Sequence, residues 1–590
     1  MNARPRLALR DVWRIAIFAG ATGAFLATRL WNLDADVALW SLSQYSPVDE
    51  FAYVVPAFHL VEYGTWVHQA APWAPVEGLS VNAAQNVVAA ATLALIGDDF
   101  WGMRASSIVF ALIAFVALLA IIGQVGAAAG RVQRVSATRL GFVVLAAAAF
   151  LLIDFSVLVS ARVVEPTVSR LAVAAVVVAL VGRGTFLGPR HGTRRSLAFG
   201  ALVGAAVLFV YIYNLFLVPA ALLTLTWWAY RSEGAAGVAR HGTAFILGLA
   251  LSAAAYFGLI LLIYGQTPLD WYRIWIESFG ASTRGTGVSV DKVLSILGAN
   301  VFRIGPPFLG LTLLSLPVFA WGLRHRPTPI TVLLGIGLVL FVAQSAFVAD
   351  YPARKFLVMV LFAVPIVASA VLLAAPFRQW VMATVARRIL AIAWLAGVVA
   401  LTILEPYIEP VPGDTARLAS VVEVASVVGA GALLVIGLVG RAAIQRIGAV
   451  VLIVAGLAPS LYADWAFIYR EPTFTYRDAQ IEARAAVDGQ VTGGGLSIAM
   501  RLYNTSRPVL SGYFIGQTRA EYEADVVRLF EEGIATSLFS YADAETRSGL
   551  EALGFRLVET YDIVLPRGLQ MGRYRYEPAT SHGDLERSDG

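Results

Sequence analysis

The sequence predicts a polytopic α-helical membrane protein with a small extracytoplasmic α/β domain after its last span. Three observations predict it. The chain is 590 residues long, 58% hydrophobic and only 14% charged, with a mean hydropathy of +0.72. No soluble domain hydrates its surface on that balance. Apolar runs of the roughly 20 residues needed to cross a bilayer recur along the first 465 residues. Beyond residue 473 the charge density becomes that of a soluble domain, and short alternating runs replace the long apolar ones.

By the length criterion there are about thirteen spans. They cover 12–30, 102–122, 140–159, 168–181, 197–210, 215–230, 244–263, 301–323, 330–348, 356–375, 389–404, 418–440 and 447–465. The pair around Tyr211–Asn214 is short and broken. The basic start, MNARPRLALRDVWR, runs straight into apolar sequence without a small-residue cleavage pattern, so the first span reads as uncleaved. Arginines such as Arg4, Arg6, Arg131, Arg194, Arg240, Arg324, Arg387 and Arg446 fall in one alternating set of loops, and the acids fall in the other. The basic side is expected to be cytoplasmic. The N-terminus is then inside and the C-terminal domain outside, in the plasma (inner) membrane.

Composition also excludes. With no cysteine, neither disulfides nor thiolate metal sites exist. A net charge of +5, spread between spans, offers no basic face for nucleic acid.

The expected organisation is a transmembrane domain over 1–465, an extracytoplasmic α/β domain over 466–578 and a disordered tail over 579–590. Two outer loops, 31–100 and 264–300, are long enough to build a site. The second carries DWYRIWIESF, suited to the membrane interface, then the Gly-rich FGASTRGTGVS. In the C-terminal domain, LSIAMRLY, RPVLSGYFIG and FRLVETYDIVL read as strands and RAEYEADVVRLFEEG as a helix. No internal repeat is evident.

The chain is organised around residues 46–64, SPVDEFAYVVPAFHLVEYG, in the first outer loop. Asp49 and Glu50 have an ordinary structural reading there, with Ser46 as N-cap, Pro47 at N1 and Asp49 closing a capping box. A carboxylate fixed at a helix start is equally suited to take a proton from a hydroxyl or to hold a metal. Arg162 and Glu165 (SARVVEPTVSR) stand three apart, as a helix-surface ion pair does. Arg104 (WGMRASS) and Arg354 with Lys355 (DYPARKF) also fall at outward span ends, where snorkelling is the ordinary explanation. Together these cations could hold a phosphate. Asp34 and Asp36 form a DxD, and His59 and His68 share the loop; both patterns arise often without function. Gly493–Gly495 lacks the Lys of a phosphate loop. Neither G-x-S-x-G nor H-E-x-x-H occurs.

DEFAYVVPAFHLVEYG after an N-in span, then FWGMRASSIVF, SARVVEP and ARKFLVMVLFAVP in that order, resemble the GT-C glycosyltransferases. Protein O-mannosyltransferases and the aminoarabinose transferases of lipid A are the nearest types. SARVVEP is similar to their S-R-x-x-x-D stretch, with Glu165 for Asp and one residue closer. The resemblance implies transfer of a sugar from a polyprenyl-phosphate donor to an acceptor hydroxyl of a protein, lipid or polysaccharide. It also implies Asp49, beside Glu50, as the catalytic base, and Arg104, Arg162, Arg354 and Lys355 as donor-phosphate ligands, with Glu165 in support. The Lys-Pro-Pro element of aminoarabinose transferases is absent. PWAPVEGLS stands in its place, leaving Glu77 as a weaker metal or donor candidate. No cofactor follows from these motifs, and a divalent metal stays open. The W-W-D motif of oligosaccharyltransferases is missing, which argues against en bloc transfer. The rival class is a transporter or flippase for a lipid-linked sugar, which the break near Tyr211–Asn214 favours and the clustering of charge at span ends does not. An inactive scaffold of the same fold is a third reading.

Overall fold

The structure is a computed structural model. It describes residues 9–35, 50, 53–67, 82–97, 100–133, 135–188, 192–264, 290–298, 306–347, 353–408, 416–438, 442–470, 472–487, 492–493, 519–565 and 569–577.

Helix α1 spans Leu9–Leu30. The short α2, Val55–Tyr63, has Pro in its first turn and stops at Gly64, whose left-handed φ of 70° lets its N–H return to Leu60 O. A turn at Tyr53 and Val54 precedes it; the capping box expected from Ser46 lies outside the described residues. Next come α3 (Ala83–Ile96, capped by Asn82) and the long α4 (Phe100–Ala129). Then α5 (Ala137–Ile153) and α6 (Phe155–Arg162) meet at a 57° bend where Asp154 ends one and caps the other. Helix α7 (Pro166–Gly182) follows, then α8 (Thr193–Ala205). Helix α8 widens into a π turn, Ala206–Val210, before an extended Tyr211 and a 3-10 turn, Ile212–Phe216. The chain continues as α9 (Leu217–Tyr264), α10 (Val290–Gly298), α11 (Pro306–His325) and α12 (Pro329–Phe347). A 3-10 turn, Ala353–Met359, leads into α13 (Val360–Met382), α14 (Val385–Ile408), α15 (Ala416–Leu438) and α16 (Ala442–Asp464).

The described part of every expected span falls on a helix, but the described residues do not confirm a count of thirteen. Among the described residues nine helical stretches are long and apolar enough to cross a membrane, or ten with the bent α5–α6 pair as one. The expected spans 215–230 and 244–263 lie on either side of Gly234 within one helical stretch, Ile212–Ile263. Helix α7, Pro166–Gly182, falls below the length. Helix α7 is walled by other helices along most of its length, so it does not need a full lipid-facing surface.

Within α9, Gly234 (φ 70°, ψ −160°) takes a backbone conformation open essentially to glycine alone, and the helix doubles back there. Trp228 consequently reaches His241, ring centroids 5.5 Å apart. The returning half packs on α8 with backbones nearly touching: a Cβ on Gly200 would stand 2.0 Å from Phe245 O, and one on Gly248 2.0 Å from Leu197 O. Prolines inside helices free carbonyls that other helices satisfy. Pro317 frees Leu313 O, which accepts from Trp394 Nε1 at 3.1 Å, and Pro376 frees Leu372 O, which accepts from Gln133.

The C-terminal domain comprises α17 (Thr475–Val487), β1 (Thr492–Gly493), α18 (Arg519–Glu531), β2 (Ser537–Tyr541), α19 (Ala544–Ala552), β3 (Phe555–Leu565) and β4 (Leu569–Tyr576). Strand order is β1-β2-β4-β3, with β1 parallel to β2 and the other pairs antiparallel. Alternation sends neighbouring side chains to opposite faces. Leu538 and Tyr574 pack with Val526, Leu529 and Phe555. Phe539, Tyr541 and Met571 pack instead with Val54, Val55 and Phe58 of the first loop, Ala89, Met103 and Val164. The sheet therefore sits on the end of the bundle that carries α2, the upper end. The runs 496–503 and 507–516 expected as strands lie outside the described residues.

Candidate functional site at the upper end of the bundle

Glu50 and Arg104 are both buried and form a two-pronged ion pair. Arg104 Nε donates to Glu50 Oε2 at 2.9 Å and Nη2 to Oε1 at 2.8 Å. Arg104 Nη1 donates to Leu33 O at 3.0 Å and also to Ala35 O, and its guanidinium lies over the Phe100 ring. Val164 N–H, just past α6, donates to Glu50 Oε2 at 3.2 Å. One carboxylate thus ties the first loop to the start of α4 and to the α6–α7 link. Such a pair is well satisfied, and its value is positional, because desolvation offsets most of the Coulomb gain.

Arg162 does not pair with Glu165. At the end of α6, its guanidinium donates to Trp31 O, Asn32 O and, at 3.4 Å, Arg29 O, capping the end of α1. Glu165 accepts from Thr167 Oγ1 at the start of α7. Arg29 caps in the other direction, donating to Leu151 O at 2.6 Å and Leu152 O at 2.8 Å at the α5–α6 bend. Asp464 of α16 acts electrostatically on both arginines. One turn into α7, the fully buried Arg170 donates to Tyr213 O at 2.6 Å and Asn214 Oδ1 at 3.3 Å. It thereby secures the break between α8 and α9. Gln344 of α12 donates to Tyr213 O at 2.9 Å.

The Ala353–Met359 turn packs against α6, α7 and α10, which brings the backbone of Arg354 and Lys355 to this same end. Asp49, Glu77, Asp36, His68 and the side chains of Arg354 and Lys355 lie outside the described residues. Asp34 accepts from Arg477 Nη1 at 3.1 Å, joining the first loop to α17. His59 is buried in α2 beside Tyr63. Among the described residues no three His, Asp or Glu side chains gather as a metal site.

Arg29, Asp154, Arg170 and the amides of α3 were not among the sequence candidates. Asp154 and Arg170 fall inside expected spans, where an ionisable residue is itself a signal.

The helical bundle with its C-terminal sheet repeats a fold seen in solved structures. Two solved structures carry the likeness, both of ArnT from Cupriavidus metallidurans. The form bound to undecaprenyl phosphate matches at TM-score 0.52 and 15% identity, over 95% of this chain and 98% of that one. The apo form matches at TM-score 0.52 and 16% identity, over 96% and 98%. No family model matches the sequence, and no curated protein does.

Proposed function

We propose that this protein is a glycosyltransferase that moves a sugar from a polyprenyl-phosphate donor to an acceptor hydroxyl at the outer face of the membrane. The observation that carries the reading is the Glu50 clamp within this fold. Because both Glu50 oxygens are engaged by Arg104 and Val164 N–H, the adjacent Asp49 is the member of the pair assigned to chemistry. Asp49 takes the proton of the acceptor hydroxyl as its oxygen attacks the anomeric carbon. The carbon–oxygen bond to phosphate breaks, the phosphate leaves with the electron pair, and the anomeric configuration inverts. A phosphate leaving group needs positive charge rather than an acid. Arg354 and Lys355 are assigned to it. Arg104 and Arg162, engaged by Glu50 and by main-chain carbonyls, add to the field. A ligand of undecaprenyl phosphate in the ArnT structure supports the donor class. The acceptor is a protein, lipid or polysaccharide.

The test is sugar transfer from a panel of synthetic polyprenyl-phosphate sugars by purified protein, wild type beside Asp49→Asn. Turnover lost in a variant that folds and binds donor supports the assignment; a wild type that binds no such donor overturns the class. The π turn, extended Tyr211 and 3-10 turn between α8 and α9 favour a second reading, movement of a lipid-linked sugar across the bilayer. Proteoliposomes that flip donor without any acceptor would support it.

A further inference from the structure

The first turn of α3 holds three buried amides, and two of them end in atoms without a partner. Asn86 is fully used: Nδ2 donates to Tyr53 O at 2.7 Å and Oδ1 accepts from Ala57 N–H at 3.3 Å, fastening α3 to α2. Gln85 is half used. Ser106 Oγ donates its proton to Met103 O at 2.7 Å, so toward Gln85 it can only accept, and Gln85 Nε2 donates to it at 2.7 Å. That fixes the amide orientation and leaves Gln85 Oε1 unpaired. Asn82 is half used as well. Its Oδ1 caps α3 by accepting from Gln85 N–H at 3.4 Å, so Nδ2 is the unpaired atom. Both residues are 0% exposed. A buried amide atom left without a partner is costly, so a donor at the N-cap and an acceptor three residues on, in the first turn of α3, need a common explanation.

The location supplies one. Ser106 and Ser107 follow Arg104 on α4, Asn86 grips the chain just after Glu50, and α3 touches the π turn Ala206–Val210. We propose that Asn82 and Gln85 form a subsite for one hydroxyl of the transferred sugar, which accepts from Asn82 Nδ2 and donates to Gln85 Oε1. A hydroxyl is the group that does both at once. An ammonium would have no charge partner in this neutral pair, so the site selects a neutral hydroxylated sugar over an amino sugar. The inference rests on the transferase reading and narrows its substrate class.

The experiment compares the polyprenyl-phosphate hexose that turns over best with its single-deoxy derivatives, using full-length wild type, Gln85→Met and Asn82→Ser. Serine keeps the cap of α3, and methionine keeps the volume of glutamine. One deoxy derivative is expected to lose about tenfold to a hundredfold in kcat/KM with wild type. Each variant should lose a similar factor on the parent sugar and little more on that derivative. The proposal is overturned if no deoxygenation costs wild type more than about twofold, against the tenfold or more of a buried polar contact. It is equally overturned if folded variants slow every sugar alike, the pattern of a site that holds only a structural water. Should a variant fail to fold, the wild-type series alone decides. A wild type that accepts no polyprenyl-phosphate sugar removes the transferase reading first, and this subsite with it.

Discussion

Arg162 caps the helix that carries Arg29, and Arg29 caps the helix that leads into Arg162's own. Arg29, in the last turn of α1, donates to the carbonyls that close α5, while Arg162, at the end of α6, donates to the carbonyls just past α1. The exchange locks the upper ends of three helices without an ion pair between them. Replacing Arg162 with Ala leaves those carbonyls short of donors and should cost about 1.5–3 kcal/mol, the usual range for hydrogen bonds to a charged group. Lysine, a point charge without the planar fork, should recover only part of this. The check is thermal unfolding in detergent alongside donor binding. A variant with unchanged Tm and weakened donor binding would replace the capping role with direct phosphate contact.

The Glu50–Arg104 pair makes a sharper prediction, because removing one partner strands a buried charge. Glu50→Gln or Arg104→Met alone should destabilise by about 3–5 kcal/mol. The double variant should be closer to wild type than the sum of the two, since both charges leave together. Asp49→Asn should unfold near the wild-type temperature and lose at least about a hundredfold in turnover, the scale of general-base catalysis. If Asp49→Asn proves as unstable as Glu50→Gln, the division of labour between the two acids fails.

How far the sequence revealed this depends on which residues are asked about. Span positions were legible because a bilayer imposes a length and a composition, and strand β3 and helix α18 were read within their observed bounds or two residues of them. Span number was not, because a short apolar run such as 166–182 passes for a span until its neighbours are seen to wall it. The reversal between 230 and 244 was legible as two spans, and Gly234 is where the chain turns. Arg104 and Glu50 were both picked out, but 54 positions separate them, and only the fold shows that they engage each other. Arg162 was expected beside Glu165 by spacing. Because α6 ends at Arg162 and α7 starts at Pro166, the two share no helix, and the pairing rule does not apply. Strand β2 was missed because all five of its side chains are buried, which removes the alternation that marks a strand.

Close packing of α8 on the returning half of α9 predicts low tolerance at Gly200. An alanine Cβ there would meet Phe245 O at 2.0 Å, and a backbone carbonyl cannot swing away as a side chain does. The helices would have to separate, at a cost of about 1–3 kcal/mol. Gly258, whose added Cβ meets nothing within 4 Å, is the control and should tolerate alanine. Equal losses at both positions by thermal unfolding would show that helix packing is not the cause.

Tyr574 links the stability of the C-terminal sheet to alkaline pH. Its hydroxyl is buried behind β4 and donates to Tyr541 O at 2.6 Å. Burial, followed by the nearby charge of Asp543, pushes its pKa up from 10.0 to about 12. The fold therefore favours the protonated phenol. Its contribution is complete below pH 10, where folded and unfolded chains alike keep the proton. Between about pH 10 and 12 the unfolded chain loses the proton first, and the contribution declines until the folded phenol ionises too. Tyr574→Phe should cost about 1 kcal/mol at neutral pH, the worth of one neutral hydrogen bond. It should also flatten that alkaline limb relative to wild type. Because Tyr561 is likewise raised to about 12, by burial and by its bond to Glu559, Tyr561→Phe is the necessary companion. If the alkaline loss is unchanged in Tyr574→Phe and vanishes in Tyr561→Phe, the exposed pair on β3, not the buried one on β4, governs the sheet.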